Sequence, residues 1–404
     1  MKNPLSTLLF LISLSICHAQ VDKVNIQQHI KVLASDSLEG RGTGTAGEKL
    51  AATYIQAQFK KLGVQPKGDN KLYTQAFSFN YGVHGAGKEG TAYNVVGYID
   101  NKAANTIIIG AHYDHLGLGN QGSSLELNSA NKIHNGADDN ASGTSGVIEL
   151  ARYFQENKKK EKYNFLFICF SGEELGLFGS KYFTEHPTID LTRINYMVNM
   201  DMIGRLNAGR ELSISGTGTS PVFEPLLKKL TKDKFNAKLD SSGTGPSDHT
   251  SFYLKDIPVL HFFTGSHNDY HKPGDDADKI NYEGEVDVLN LIIKMIEELD
   301  SEPKLAFLQT KSNTMNEARS FKVTLGVMPN YTATVAGLQV DGVTEGRPAQ
   351  KAGILPGDVI TKIGDRDIKD IEQYMEALGV FEKGQTVPVK VIRNKKEVTL
   401  SLTF

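Results

Sequence analysis

Two adjacent carboxylates, Glu173 and Glu174, follow an apolar run in FICFSGEELGLFGS (167–180). Such a pair on its own suits a solvated turn, but similar groups close other apolar runs. IIIGAHYDH carries His112 and Asp114, INYMVNMDM carries Asp201, and the stretch after IPVLHFF leads into HNDYHKPGD with His267, Asp269 and His271. HNGADDNASG (134–143) places Asp138 and Asp139 before a helical stretch. Taken singly, Asp139 suits a helix cap, Asp114 a turn hydrogen bond, and His271 a surface position before Lys-Pro. Taken together they gather like charges, which repel unless something positive sits among them, and a metal ion is such a group. Zinc accepts imidazole nitrogen and carboxylate oxygen, and several carboxylates beside two histidines can hold two ions. Three ligand carboxylates leave one positive charge on a pair of zinc ions, which a bound hydroxide and a nearby base would neutralise.

These residues converge only if the preceding runs are strands ending on one side of a sheet. The runs are 92–99, 105–114, 163–170, 194–202, 211–216 and 257–263. Those at 107–109 and 165–170 do not alternate, so they read as strands buried on both faces of a mainly parallel sheet covered by helices. In such α/β folds, ligand sites lie outside the carboxyl ends of the strands. Helical stretches are expected before Gly63 (from about Gly47 to Leu62), over 143–160 and 220–235, and in the amphipathic segment 285–300. A polar linker (302–319) then precedes short strands, Gly-rich turns and one helix-like stretch (371–381). Residues 320–404 therefore read as a second, small, mostly antiparallel β domain.

The 404-residue chain is 39% apolar and 23% charged, as soluble globular proteins are, and long enough for more than one domain. A net charge of −3, with no basic patch interleaved with aromatics, argues against nucleic acid as a partner. Lys2, the apolar LSTLLFLISLSI (5–16) and CHA (17–19) form a signal peptide over 1–19. The apolar run is too short for a membrane span. Export to a bacterial periplasm, cell surface or medium is expected. LSIC resembles a lipoprotein cleavage box, but Ile16 fits that box poorly, so a lipid anchor is the lesser reading. Beyond the signal Cys169 is the only cysteine, so no intrachain disulfide can form, and its apolar neighbours place it in the core.

With these motifs in hand, residues 25–298 resemble the M28 family of co-catalytic zinc peptidases, of the bacterial aminopeptidase type. LASDSLEGRGTGTAGEKLAATYI is similar to the family's amino-terminal helix region and YNVVG to its first core strand. The resemblance implies two Zn2+ per chain, with His112 and Asp201 on one ion, Glu174 and His271 on the other, and Asp139 bridging. It implies Glu173 as general base and Asp114 as the carboxylate orienting His112. SGTGPSDHTSF is similar to a segment near the substrate cleft, which makes Asp248 and His249 supporting candidates. His115, His134 and His267 are left outside the ligand set, at the surface or in supporting roles. No expected ligand is missing, which counts against the related one-zinc glutaminyl cyclases. The implied activity is hydrolysis of the first peptide bond of peptides with a free N-terminus by a two-zinc-activated water. The alternatives are a carboxypeptidase or dipeptidase on the same scaffold, or a peptide-binding adaptor with an inactive peptidase half.

FKVTLGVMPNY and VTEGRPAQKAGILPGDVITKIGDRDI resemble a PDZ domain of the bacterial protease-associated kind. In that resemblance Thr324, Leu325, Gly326 and Val327 form the loop that cradles a peptide carboxylate, which implies a peptide tail or protein partner. The competing reading is a packing cap that binds nothing.

Overall fold

The computed structural model describes residues 20–81, 88–120, 124–126, 128–310, 323–329, 335–343, 346–369 and 371–404. The expected signal segment (1–19) and half of the expected linker (311–319) lie outside these. Helix α1 (Lys23–Leu33) is capped by Asp22, whose side chain accepts the Val24 N–H. Helix α2 (Ala46–Leu62) starts at Thr45, whose hydroxyl accepts the Glu48 N–H, and stops at Gly63 (φ 74°), a left-handed position that favours glycine.

Among the described residues nine strands form the main sheet: β1 (Gln65–Pro66), β2 (Thr74–Tyr81), β3 (Lys88–Ile99), β4 (Thr106–His112), β5 (Asn164–Phe170), β6 (Ile194–Met200), β7 (Glu211–Ser215), β8 (Asn236–Leu239) and β9 (Val259–Phe263). Their order is β1-β3-β5-β4-β6-β9-β7-β8, with β2 also paired to β3. The centre, β5-β4-β6-β9, is parallel. The flanks are not: β3 runs antiparallel to β1, β2 and β5, and β7 antiparallel to β9. Strands β1, β2 and β8 fall outside the runs read from the sequence, although TQAFSFNY carries the alternation of a half-buried strand.

Helices cover both faces. Ile107, Ile109, Phe165, Phe167 and Val198 pack under α1, α2, α3 (Gly143–Glu156) and α7 (Tyr282–Leu299). The alternate residues Ile108, Leu166, Ile168 and Met197 pack with Phe183 of α4 (Phe178–Glu185) and Phe252 of α6 (His249–Tyr253). Apolar residues at both phases of the alternation are why these runs do not alternate. Helix α5 (Phe223–Thr231) buries Phe223, Leu227 and Leu230 in the first core. Cys169 is buried there too.

The expected linker does not start at 302 as a free tether. Leu305 is buried in the main core and donates its N–H to Asn195 (2.7 Å), the Leu308 N–H reaches Thr219 O (2.8 Å), and the Thr310 N–H reaches the Tyr253 hydroxyl (2.9 Å). Leu305, Ala306, Phe307 and Leu308 make too short an apolar run for a visible period, so the stretch reads as polar.

The second domain is an antiparallel sheet of β10 (Val327–Pro329), β11 (Leu338–Val343), β12 (Val359–Ile363), β13 (Arg366–Asp367), β14 (Thr386–Arg393) and β15 (Lys396–Thr403). With α8 (Pro348–Ala352) and α9 (Ile371–Leu378) it has its own core around Leu325, Val340, Ile360, Tyr374 and Val389.

Candidate active site

Because β5, β4, β6 and β9 are parallel, their carboxyl ends open on one side, and the acidic residues collect there. His112 ends β4, Glu173 and Glu174 follow β5, Asp201 follows β6, and His271 lies in the loop after β9. Asp139 comes from the irregular turn Ala137–Ser142 that leads into α3. Asp275, four residues after His271, joins the last two pieces. One carboxylate oxygen accepts the N–H groups of Asp138 (2.9 Å) and Asp139 (3.0 Å), and its carbonyl accepts that of Ala137 (2.9 Å).

His112 Nε2 lies 3.3 Å from Asp201 Oδ1 and 3.4 Å from Asp139 Oδ1. His271 Nε2 lies 3.2 Å from Asp139 Oδ2 and 3.2 Å from Glu174 Oε2. Asp139 thus presents one oxygen to each imidazole. Donor atoms around a tetrahedral zinc, at bonds of about 2.0–2.1 Å, stand about 3.3 Å apart. The residues present therefore fit two ions sharing Asp139. Carboxylate and imidazole atoms cluster on both sides, as His112, Glu173 and Asp201 and as His115, Asp139 and Glu174. Although burial opposes it, Asp201 and Glu173 raise the His112 imidazole well above its ordinary range, and Glu174 and Asp139 do the same for His271. The site demands positive charge.

The two neighbouring glutamates differ. Burial opposes ionisation of Glu174, but His271 and His115 hold its carboxyl well below the usual range. Burial pushes Glu173 well above it, opposed by His112 and helped by Asp201 and Glu174. The Glu173 oxygen is 4.0 Å from His112 Nε2, farther than either candidate ligand oxygen.

Asp114 departs from expectation in detail. Its carboxylate is 3.7 Å from His112 Nδ1, beyond a hydrogen bond, and its own carbonyl makes the closer contact at 3.2 Å. The carboxylate instead accepts the Thr43 hydroxyl (2.7 Å) and the Glu173 N–H (3.2 Å), so it also fixes the turn that aims Glu173. Asp248 and His249, at the start of α6, are fully buried, and the cavity wall beside them is formed by Pro246 and His261. Neither lines the cavity itself: a short helix turns both into the fold directly behind that wall, so any support they give the cleft acts through the residues in front of them. His249 stacks on His261 (4.5 Å between ring centres), and burial pushes the Asp248 carboxyl up to about 7.

His115, read from the sequence as a surface or supporting residue, takes a supporting place, while Arg41 and Glu48 escaped the sequence reading. His115 Nδ1 is 2.7 Å from Glu174 Oε1, a hydrogen bond that the ring must donate to an ionised carboxylate, so it orients Glu174. Its place one residue after Asp114 was the only signal. His267, also left aside, is 3.3 Å from Asp138 and outside the metal donors. Arg41 is fully buried and donates to the carbonyls of Tyr113 (2.7 Å), Leu33 (2.5 Å), Asn135 (2.6 Å) and Gly136 (2.9 Å). It stitches the strand end carrying His112 to the turn carrying Asp139. Glu48 of α2 accepts from the Tyr113 hydroxyl (2.8 Å) and the Ser171 hydroxyl (2.7 Å), anchoring both strand ends to one helix.

Residues 94–296, half of the chain, match Peptidase family M28, and residues 312–404 match the PDZ domain. The chain is 24% identical over 299 residues to a probable leucine aminopeptidase of Arthroderma otae, covering 71% of this chain and 75% of that one. It is 26% identical over 260 residues to leupeptin-inactivating enzyme 1 of Streptomyces exfoliatus, covering 63% of this chain but only 52% of that one. The crystal structure of the LapA aminopeptidase of Legionella pneumophila superposes with a TM-score of 0.54 at 26% identity, over 70% of this chain and 73% of that one. A glutaminyl cyclase of Bacteroides thetaiotaomicron shares the fold at 17% identity, with a TM-score of 0.56 over 69% of this chain and 98% of its own. The chain therefore belongs to peptidase family M28, with a PDZ domain following the peptidase domain.

Proposed function

We propose that this chain is an exported aminopeptidase that uses two zinc ions to remove the amino-terminal residue of peptides. The observation that carries this reading is the pair of donor sets sharing Asp139, each with the spacing of a tetrahedral ion. His112 and Asp201 would hold one ion and Glu174 and His271 the other. Zinc bound there would supply an activated water and polarise the scissile carbonyl.

The rest of the chemistry belongs to the chain. Glu173 carries no imidazole on its carboxylate as closely as Glu174 does, and burial raises its proton affinity. It is therefore the group suited to take the water's proton and return it to the leaving amine. Asp114 holds Glu173 by its N–H, so the base does not drift. With zinc and hydroxide in place, ionised Glu173 would leave the site one negative charge, which attracts a cationic α-amine and so selects a chain end over an internal bond. The names of the aminopeptidase relatives support this reading. The apolar segment at 5–16 supports export.

The test is one short peptide, free or N-acetylated, incubated with zinc-loaded protein while released residues are identified in time. Stepwise loss from the amino end, abolished by acetylation, is expected. Loss from the other end would make the protein a carboxypeptidase, and cyclisation of an N-terminal glutamine without hydrolysis would move it to the cyclases.

A further inference from the structure

The cavity over the catalytic residues, about 460 Å3, is walled by both domains: Thr324, Gly326, Val327 and Arg347 line it together with Asp139 and Glu173. Its volume falls in the range that encloses a small organic ligand, about 300–1,000 Å3. An extended tripeptide spans at most about 10 Å. A few residues of peptide fill such a space.

The far wall is built for an anion. Arg347 is exposed, and no carboxylate among the described residues pairs with it. Gly326 (φ 73°) brings the loop against it: a Cβ at 326 would stand 2.3 Å from the Arg347 Cβ, so only glycine allows this approach. Strand β10 begins at Val327 and, among the described residues, pairs only with β11, which leaves its other edge for an added strand. The opposite wall is acidic, with Asp139, Glu173, Glu174 and Asp201. With two zinc ions and a hydroxide offsetting the three ligand carboxylates, ionised Glu173 leaves the catalytic end one negative charge, so the cavity runs from an anionic end to the Arg347 cation, as a free peptide does in reverse.

We propose that Arg347 and the Thr324–Val327 loop bind the terminal carboxylate of the same peptide whose amino terminus lies among the catalytic carboxylates. The second domain then reads the far end of the substrate, and the preferred substrates are short peptides with both ends free. This rests on the aminopeptidase reading.

The experiment uses the full chain, zinc-loaded, with a tripeptide and a decapeptide of shared amino-terminal sequence, each as free acid and as C-terminal amide. For the tripeptide, kcat/KM should favour the acid about tenfold, the worth of one charge-assisted hydrogen-bonded contact, and the difference should lie in KM. For the decapeptide, whose end lies outside the cavity, the acid-to-amide ratio should be about one. R347Q should bring the tripeptide ratio to about one and R347K should retain part of it. Calorimetric binding to zinc-loaded E173Q gives a readout without turnover, with the same acid preference expected. Equal turnover of tripeptide acid and amide from the amino end overturns the bridging and leaves the aminopeptidase reading standing. A ratio that survives in R347Q, or that is equally large for the decapeptide, also overturns it, the latter assigning the loop to tails bound independently of catalysis. An acid preference in calorimetry, with the zinc-loaded parent protein releasing nothing from any of the peptides, supports the bridging and sinks the aminopeptidase reading.

Discussion

Glu173 and Glu174 are neighbours with the same side chain, and what separates them is the company each keeps. Glu174 has an imidazole at 2.7 Å and another at 3.2 Å, whereas the closest imidazole nitrogen to Glu173 is His112's at 4.0 Å. E173Q keeps shape and volume and removes only the ability to take a proton. It should bind zinc as the parent does while turnover falls about 10²–10⁴-fold. Metal stoichiometry and kcat measured on the same sample check this, and near-normal kcat would show that Glu173 is not the base. His115 predicts the opposite pattern. In H115F, Glu174 loses the donor that aims it, so zinc affinity should fall about 10–100-fold at one of two sites, as a chelator competition would read. Unchanged affinity at both sites would reduce His115 to packing.

Among elements, the deciding feature is how strand ends are held in register with the turns beside them. Parallel pairing of β4 with β5 and β6 puts His112, Glu173 and Asp201 on one side, but it does not position Asp139. Arg41 does, by donating to the carbonyls on both sides of the gap. Burial lowers its guanidinium to about 10, against the opposing pull of Asp139, Asp114, Asp275 and Glu174. Arg41→Met keeps the apolar stem but leaves those carbonyls buried and unpaired. A loss of about 3–5 kcal/mol is expected in urea unfolding of the metal-free protein, with Arg41→Lys intermediate. A loss under about 1 kcal/mol would mean that water replaces the guanidinium. Helix α2 was readable because its start at Thr45 and stop at Gly63 are local signals. The stitching by Arg41 was not, since LEGRGTGT carries no sign of carbonyls from residues 113 and 135.

At the scale of the molecule, two cores that share no residue sit in one chain, one around the nine-stranded sheet and one in the PDZ domain. Calorimetry of the full chain should show two transitions. Zinc should raise only the one belonging to the peptidase domain, by about 4 kcal/mol at a thousandfold excess over its dissociation constant, and a chelator should reverse it. A single transition that moves as a whole would show that the domains unfold as one unit, held by the cavity wall they share.

The sequence by itself determined the central strands, the helices between them, the change of character beyond residue 320 and the candidate metal residues, because each is carried by local periodicity or by a short motif. The antiparallel flanks, the packed stretch at 303–310, the donation from His115 to Glu174 and the joining of Arg347 to the catalytic cavity were decided only by the tertiary structure. Each depends on groups distant along the chain, and spacing carries no record of which strand edge or side chain will meet another across the fold.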